Sequence, residues 1–442
     1  MHQTSELKNN ALPTDEEALR NTLADLEAEI DRLERKKMEL GRLADAITLK
    51  KAGFTDAEID AFCREDEEYV RTVEESYQKN LRRRNYMFGY PANLEDDSYA
   101  TQYLRHLESK MFLMNNCGDP YQRGNYRMDS KAIEKKIIAL VAENLGVAQN
   151  SYWGYITSGG TESNFWGVRE GFNHFPAGKL YFSDQTHYSV EKYVFDGENQ
   201  RYPYEKIPTD EVGRIDADAL LSKIEQDHAR GVKGAILVLT WGTTCRGAID
   251  PVKDITARLQ EKQIPYYCHL DAALYGGIAR HQKNAPFVRG LTSLGVDSIA
   301  VSMHKFMGTS RVNGVVLALQ RKNRHVVDYI GQEDSTLLGS RDYHPFSTYQ
   351  RAREMLLRRS DGHYEQNILF FEEGLRARGI AYERFEDANI FVIDQPSDGI
   401  CKKYQLATFL DAQGRARAHI IIFPHHKKSV MEELLCDLAE QA

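Results

Sequence analysis

Six short apolar runs, separated by stretches of helical character, constrain this chain more than any other feature. Between residues 150 and 320 they read "SYWGYITS", "KLYFS", "GAILVLT", "PYYCHLD", "DSIAVS" and "GVVLALQ". Helix-like segments at Thr161 to Phe172, Asp216 to Arg230 and Pro251 to Gln263 lie between them. Strands spaced by helices indicate βαβ units and a mainly parallel sheet. Strands that are apolar throughout, rather than alternating, are buried on both faces. Ligands of such sheets bind where strands end and helices begin. The chemistry of this chain is therefore expected at the C-ends of these six runs.

The flanks differ. From about residue 330 the alternation weakens. A helix near 345–375 leads to "ANIFVID", "AHIIIFPHH" and a final helix "SVMEELLCDLAE", which reads as a smaller α+β domain. At the other end, residues 1–13 carry no pattern and are expected to be disordered. Thr14 and Glu17 form a capping-box pair at a helix start. Leu19, Leu23, Leu26, Ile30 and Leu33 then follow at 4-3-4-3 spacing, with Lys37 and Leu40 in the next two slots. That seam fits either an amphipathic helix lying on its own domain or a short coiled coil over 15–40 with another subunit. A second helix is expected over 55–80, after "GFTDAEID". The resulting division is a helical extension over 1–80, a large domain over 81–328 and a small domain over 329–442.

Several classes are disfavoured. The formal net charge of −8 gives no reason to expect nucleic-acid binding. The basic run "LRRRN" reads as a solvated face or an anion contact. No apolar run is long enough to cross a membrane, and no leader with an apolar core opens the chain. The six cysteines are scattered without metal-ligand spacing, so no metal site is expected and a reduced, cytoplasmic protein fits.

The strand ends carry the reactive residue types. The first ends in "TSGGTESN", where Gly159 and Gly160 let the backbone approach an anion and Thr161 opens a helix. The stretch lacks the Walker lysine and the GxGxxG spacing, and an ordinary glycine turn would look the same. "SDQTHYSVEK" presents His187, which a helix cap would also explain. "HLDAALYGG" places Asp271 at the end of a buried run with the small Ala272 and Ala273 beside it. A buried carboxylate needs a cationic partner, unless it is itself a helix cap. "SMHKFMGTS" places Ser302, His304 and Lys305 at another such end, and a lysine is costly to bury charged. An anion cradle, a carboxylate, a histidine and a lysine on one sheet edge together suit pyridoxal 5′-phosphate. That cofactor needs a site for its phosphate, a partner for its ring nitrogen and an amine for its aldehyde.

The ordered set "TSGGTESN", "THYSV", "WGTTCRGAID", "HLDAALYGG" and "SMHKFMG" resembles the pyridoxal-phosphate-dependent amino-acid decarboxylases of group II. Within them it is most similar to the branch holding bacterial histidine decarboxylases and plant serine decarboxylases. "GYPANLEDD", "NNCGDP" and "LLGSRDYH" support that branch. The similarity runs from about residue 85 to the C-terminus. It implies an aspartate-aminotransferase-like α/β fold, with a mainly parallel seven-stranded sheet flanked by helices. Lys305 would hold the cofactor covalently and Asp271 would pair with its ring nitrogen. His187 would stack on one ring face, with Ala273 on the other. Gly159, Gly160, Thr161, Ser302 and His304 would surround the phosphate, and Thr244 the ring hydroxyl. Tyr329 is the candidate proton donor. The resemblance also implies a homodimer with sites at the subunit interface.

One loop departs from the branch. Where the family reads "GSRNGH", this chain has "GSRDYHPFS", so Asp342 and Tyr343 replace a small neutral pair. Together with Asn116 they are the candidate substrate contacts. The expected reaction is decarboxylation of an L-amino acid, L-histidine first. The alternatives are serine or an aromatic or aliphatic amino acid, transaminase or oxidative deaminase chemistry on the same fold, and a non-catalytic scaffold.

Overall fold

The computed structural model describes residues 16–441, apart from 112–113, 197–198, 283–290, 320–324, 342, 358–361 and 386. The chain divides into two compact units, Met1–Arg83 and Arg84–Ala442.

The first unit is a helical hairpin, α1 (Glu16–Lys51) and α2 (Asp56–Arg83). Thr14 and residues 1–13, on which two expectations rested, lie outside the described residues. The second start signal does form a capping box. Thr55 N–H donates to Glu58 Oε2 at 2.8 Å, and Glu58 N–H donates to Thr55 Oγ1 at 3.3 Å. Leu26, Ile30, Leu33 and Leu40 of the heptad seam are each more than half exposed. Within its own unit the seam is therefore uncovered.

The second unit is built on the sheet that the apolar runs foretell. Its strands are β1 (Trp153–Thr157), β2 (Lys179–Ser183), β3 (Tyr204–Ile207), β4 (Ala235–Thr240), β5 (Tyr266–Asp271), β6 (Ser298–Ser302) and β7 (Gly314–Ala318). Their spatial order is β1-β7-β6-β5-β4-β2-β3. The β2–β3, β2–β4, β4–β5 and β5–β6 pairs are parallel. β7 runs antiparallel to both of its neighbours. The loop between β6 and β7 spans residues 303–313 and holds no helix, so it is too short for a parallel crossover.

Burial explains why these runs were legible. Every residue of β1, β4, β6 and β7 is buried. In β4, Leu237 and Leu239 enter the main core, while Ile236 and Val238 enter a second cluster with Val168 and Phe182. Alternate side chains thus feed the packed layers on either side of the sheet.

Beyond the sheet, β8 (Ile390–Asp394), β9 (Ala407–Leu410) and β10 (Ala416–Ile421) form a small antiparallel sheet in the order β8-β10-β9. The single helix expected near 345–375 is two, Pro345–Leu357 and His363–Ala377. Gly362, at φ 63°, precedes the second in a left-handed conformation that a continuous right-handed helix cannot contain.

A buried ion pair anchors the segment that follows β7. Arg341 Nε and Nη2 donate to the Glu134 carboxylate at 2.9 and 3.2 Å. Glu134 is fully buried and also accepts the Ile156 N–H of β1 at 3.0 Å. Removing one partner of such a pair leaves an uncompensated charge. Glu134→Ala is therefore expected to destabilise this unit by about 3–5 kcal/mol. Equilibrium urea unfolding of the variant beside wild type measures it.

Candidate active site

The C-ends of β1, β4, β5 and β6 open onto one cavity of about 210 Å³. Each wall is set by the element that carries it.

The helix Gly160–His174 begins directly after β1, and its first turn faces the cavity. Its N-cap is Gly159 at φ 140°, and no side chain caps the helix start. A Cβ on Gly160 would stand 2.5 Å from Ser302 Oγ, so glycine is required for the helix and β6 to approach this closely. The result is a cradle of backbone N–H groups at the positive end of a helix, beside the Ser302 hydroxyl.

Asp271 ends β5 and is nearly buried. Its Oδ2 accepts a hydrogen bond from Asn164 Nδ2 at 2.8 Å, and its Oδ1 accepts the Ala273 N–H at 3.1 Å. It does not cap a helix; Leu274 occupies that position. His187 does cap one, its Nδ1 accepting the Ser189 N–H at 3.3 Å, and it lines the cavity as well. Burial holds the His187 pKa below its ordinary value, with the nearby Asp271 opposing and Lys305 adding to the shift, so the ring is neutral at pH 7.

Lys305 follows β6. Asn93 N–H donates to its carbonyl at 2.8 Å and Asn93 Nδ2 to that of Phe306 at 3.0 Å, which fixes the backbone of the turn. Desolvation lowers the Lys305 pKa, and Asp271 acts in the opposite direction. A lysine so placed more readily offers the neutral amine that an aldehyde requires. His304 Nδ1 donates to the Asn313 carbonyl at 2.9 Å, and burial keeps that ring neutral too.

Gly159, Gly160, Thr161, His187, Thr244, Asp271, Ala273, Ser302, His304 and Lys305 all line this cavity. Three other candidates do not. Tyr329 lies in the short turn Asp328–Ile330 and is 83 % exposed, so within its own chain it is not placed to protonate anything at Lys305. Asn116 and Tyr343 are buried beside the Glu134–Arg341 pair. There Asn116 Nδ2 bonds Glu134 at 2.9 Å and the Tyr343 hydroxyl at 3.3 Å. Asp342 lies outside the described residues.

The sequence reading passed over several lining residues. Asn164, Thr240, Thr243 and Tyr188 also face the cavity, and Ile390 and Ile421 of the small sheet contribute apolar wall. Asn164 was within reach, since it stands one helical turn after the glycines of "TSGGTESN". Thr240 Oγ1 is buried without a hydrogen-bond partner in the protein.

The donor set fits pyridoxal phosphate. The uncapped helix start and Ser302 suit the phosphate, Asp271 a protonated ring nitrogen, and Lys305 the aldehyde. The orphaned Thr240 hydroxyl leaves one polar group for a ring substituent.

Residues 177–351 match the family described as the pyridoxal-dependent decarboxylase conserved domain. The histidine decarboxylase of Pseudomonas entomophila is 36% identical over 379 residues, covering 83% of this chain and 89% of that protein. Serine decarboxylase 1 of Oryza sativa subsp. japonica is 31% identical over 424 residues, covering 92% and 83%. Among solved structures, L-methionine decarboxylase from Streptomyces sp.590 superposes with a TM-score of 0.71 over 85% of this chain and 95% of that one. Its sequence identity is 21%, so this likeness concerns the fold.

Proposed function

The chain belongs to the pyridoxal-dependent decarboxylase family, and we propose that it converts L-histidine to histamine and CO2. The chain is a pyridoxal-phosphate-dependent amino-acid decarboxylase. The choice of histidine rests on the bacterial relatives, which carry that activity in their names. The observation that supports the site is the meeting of Lys305, Asp271 and His187 around an uncapped helix start, on the edge where four strands end.

In this reading Lys305 would hold the cofactor through its side-chain amine. Gly159, Gly160, Thr161, Ser302 and His304 bind the phosphate, with the helix dipole adding to their attraction. Asp271 would favour a proton on the ring nitrogen, and His187 and Ala273 would hold the ring. Thr244 would contact the ring hydroxyl. When bound, the cofactor supplies a sink for the electrons of the bond to the departing carboxylate. The apolar side chains of Ile390 and Ile421 would keep water from their side of the cavity, which favours loss of a charged carboxylate into a neutral product. A proton donor is also needed, to place hydrogen on the α-carbon where the carboxylate was.

Tyr329 is assigned as the proton donor only from a partner subunit, to which its exposure suits it. That assignment requires a homodimer, with residues 81–328 as the cofactor-binding part and 329–442 as the smaller part. No helix among the described residues is long and apolar enough to cross a membrane. A cytoplasmic enzyme accords with this and with the six free cysteines.

Competition among histidine, serine, methionine, tyrosine and lysine, with amine and CO2 both measured, tests the substrate. Histidine is expected to show the highest kcat/KM. A tenfold advantage for any other amino acid would reject histidine and leave the cofactor assignment standing.

A further inference from the structure

Behind the cavity runs a chain of hydrogen bonds between fully or nearly buried side chains, ending at the part-buried His187. Tyr267 OH donates to Ser298 Oγ at 2.9 Å. Ser298 Oγ lies 2.8 Å from His269 Nδ1, and His269 Nε2 lies 3.1 Å from Asn164 Oδ1. Asn164 Nδ2 donates both to Asp271 Oδ2 at 2.8 Å and to Ser189 Oγ at 3.2 Å. Ser189 Oγ lies 2.8 Å from His187 Nδ1.

These contacts admit one consistent direction. The Asp271 carboxylate accepts from Asn164 Nδ2, so Asn164 Oδ1 faces His269 Nε2 and must accept from it, and Ser298, which accepts from Tyr267, gives its own hydrogen to His269 Nδ1. His269 is then the Nε2–H tautomer and donates to Asn164 Oδ1. Its pKa, lowered to about 4 by burial, keeps it neutral across the physiological range. With its oxygen held by His269, the Asn164 amide has a single orientation, and its two N–H groups point to Asp271 and Ser189. Ser189 accepts there and donates to His187 Nδ1, which the Ser189 backbone N–H also approaches at 3.3 Å. His187 therefore carries its proton on Nε2.

The fold keeps this arrangement close-packed. A Cβ on Gly167, one turn beyond Asn164 on the same helix, would lie 2.1 Å from His269 Nδ1. Glycine at 167 is what lets His269 reach Asn164.

We propose that Asn164 is a positioning residue: its amide fixes the rotamer of Asp271 and, through Ser189, the tautomer of His187. The proposal rests on the site reading above, which assigns those two side chains to the ring nitrogen and the ring face. It gives the otherwise buried His269, Ser298 and Tyr267 a function, that of setting which way the Asn164 amide points.

The test uses the full-length protein labelled with 15N-histidine, as apoenzyme, together with steady-state kinetics of the holoenzyme. Wild type is expected to show His187 as a single Nε2–H tautomer. In Asn164→Ala and Ser189→Ala only the longer Ser189 backbone N–H bond at 3.3 Å still favours that tautomer, so a second tautomer should appear beside it. Asn164→Ala should lower kcat about 10- to 100-fold, the range found when the hydrogen-bond partner behind a metal ligand is removed, with KM within about twofold. Ser189→Ala, which leaves the Asn164–Asp271 bond in place, should lower kcat less. Asn164→Asp keeps the size, removes the donor, and should repeat the kcat loss if Asn164→Ala does not fold. An unchanged His187 tautomer in both alanine variants, or kcat within about twofold of wild type in the Asn164 variants, overturns the proposal. A wild-type protein that binds no pyridoxal phosphate would instead defeat the site reading, and the apoenzyme spectra would still test the hydrogen-bond chain.

Discussion

Lys305→Ala is expected to abolish the visible absorbance of the imine between lysine and cofactor, and decarboxylation with it. Other groups can hold pyridoxal phosphate by its phosphate and ring. Among the described residues lining the cavity, only Lys305 carries an amine on its side chain. The fold must still form in the variant, because the turn after β6 is fixed through the Asn93 bonds to the backbone of Lys305 and Phe306, and not through the lysine side chain. Far-ultraviolet circular dichroism should match wild type. Spectrophotometry of the purified variant with added cofactor, beside an assay of released CO2, reads both effects. A variant that retained both the band and turnover would mean that another lysine does this work.

Asp271→Asn is the second large effect. The substitution keeps the shape and leaves an oxygen to accept the Ala273 N–H, but it removes the negative charge that favours a protonated ring nitrogen. Cofactor binding should survive through the helix start and Lys305. The chemical step should slow by about 10²–10³, the loss found when a preorganised electrostatic partner is deleted. KM should change little, because the loss falls on the transition state. The effect appears in single-turnover rates at saturating substrate. A rate within tenfold of wild type would mean that another group maintains the charge.

How much of this was legible in the sequence varies by element, for physical reasons. Strands buried on both faces announced themselves. "KLYFS" coincides with β2 and "DSIAVS" with β6 to within one residue. β3, "YEKI", lies at the sheet edge with only Ile207 buried, so it has no apolar run to read. The reversed direction of β7 is a property of loop length and pairing, which hydrophobicity does not encode.

The same distinction holds in the site. Lysine and aspartate at the ends of apolar strands are costly unless they have a use, so they stood out. Asn164 did not, because a polar residue in a first helical turn is ordinary. Its significance lies in His269, Asp271 and Ser189, which come from other segments of the chain. Tyr343 misled for a related reason. Its place in a departing loop drew attention to substrate, yet the ring packs inward, and Asn116 bonds its hydroxyl beside the Glu134–Arg341 pair. The heptad seam of α1 was readable as a pattern, but a pattern does not name what covers it.

The most direct test of the central claim is chemical. Borohydride reduction of the holoenzyme converts the bond between the cofactor and its lysine into a stable secondary amine, and peptide mass spectrometry then locates it. The account predicts the added phosphopyridoxyl mass on the peptide containing "SMHKFMG", at Lys305. The same mass on a different lysine, with Lys305 unmodified, would contradict it.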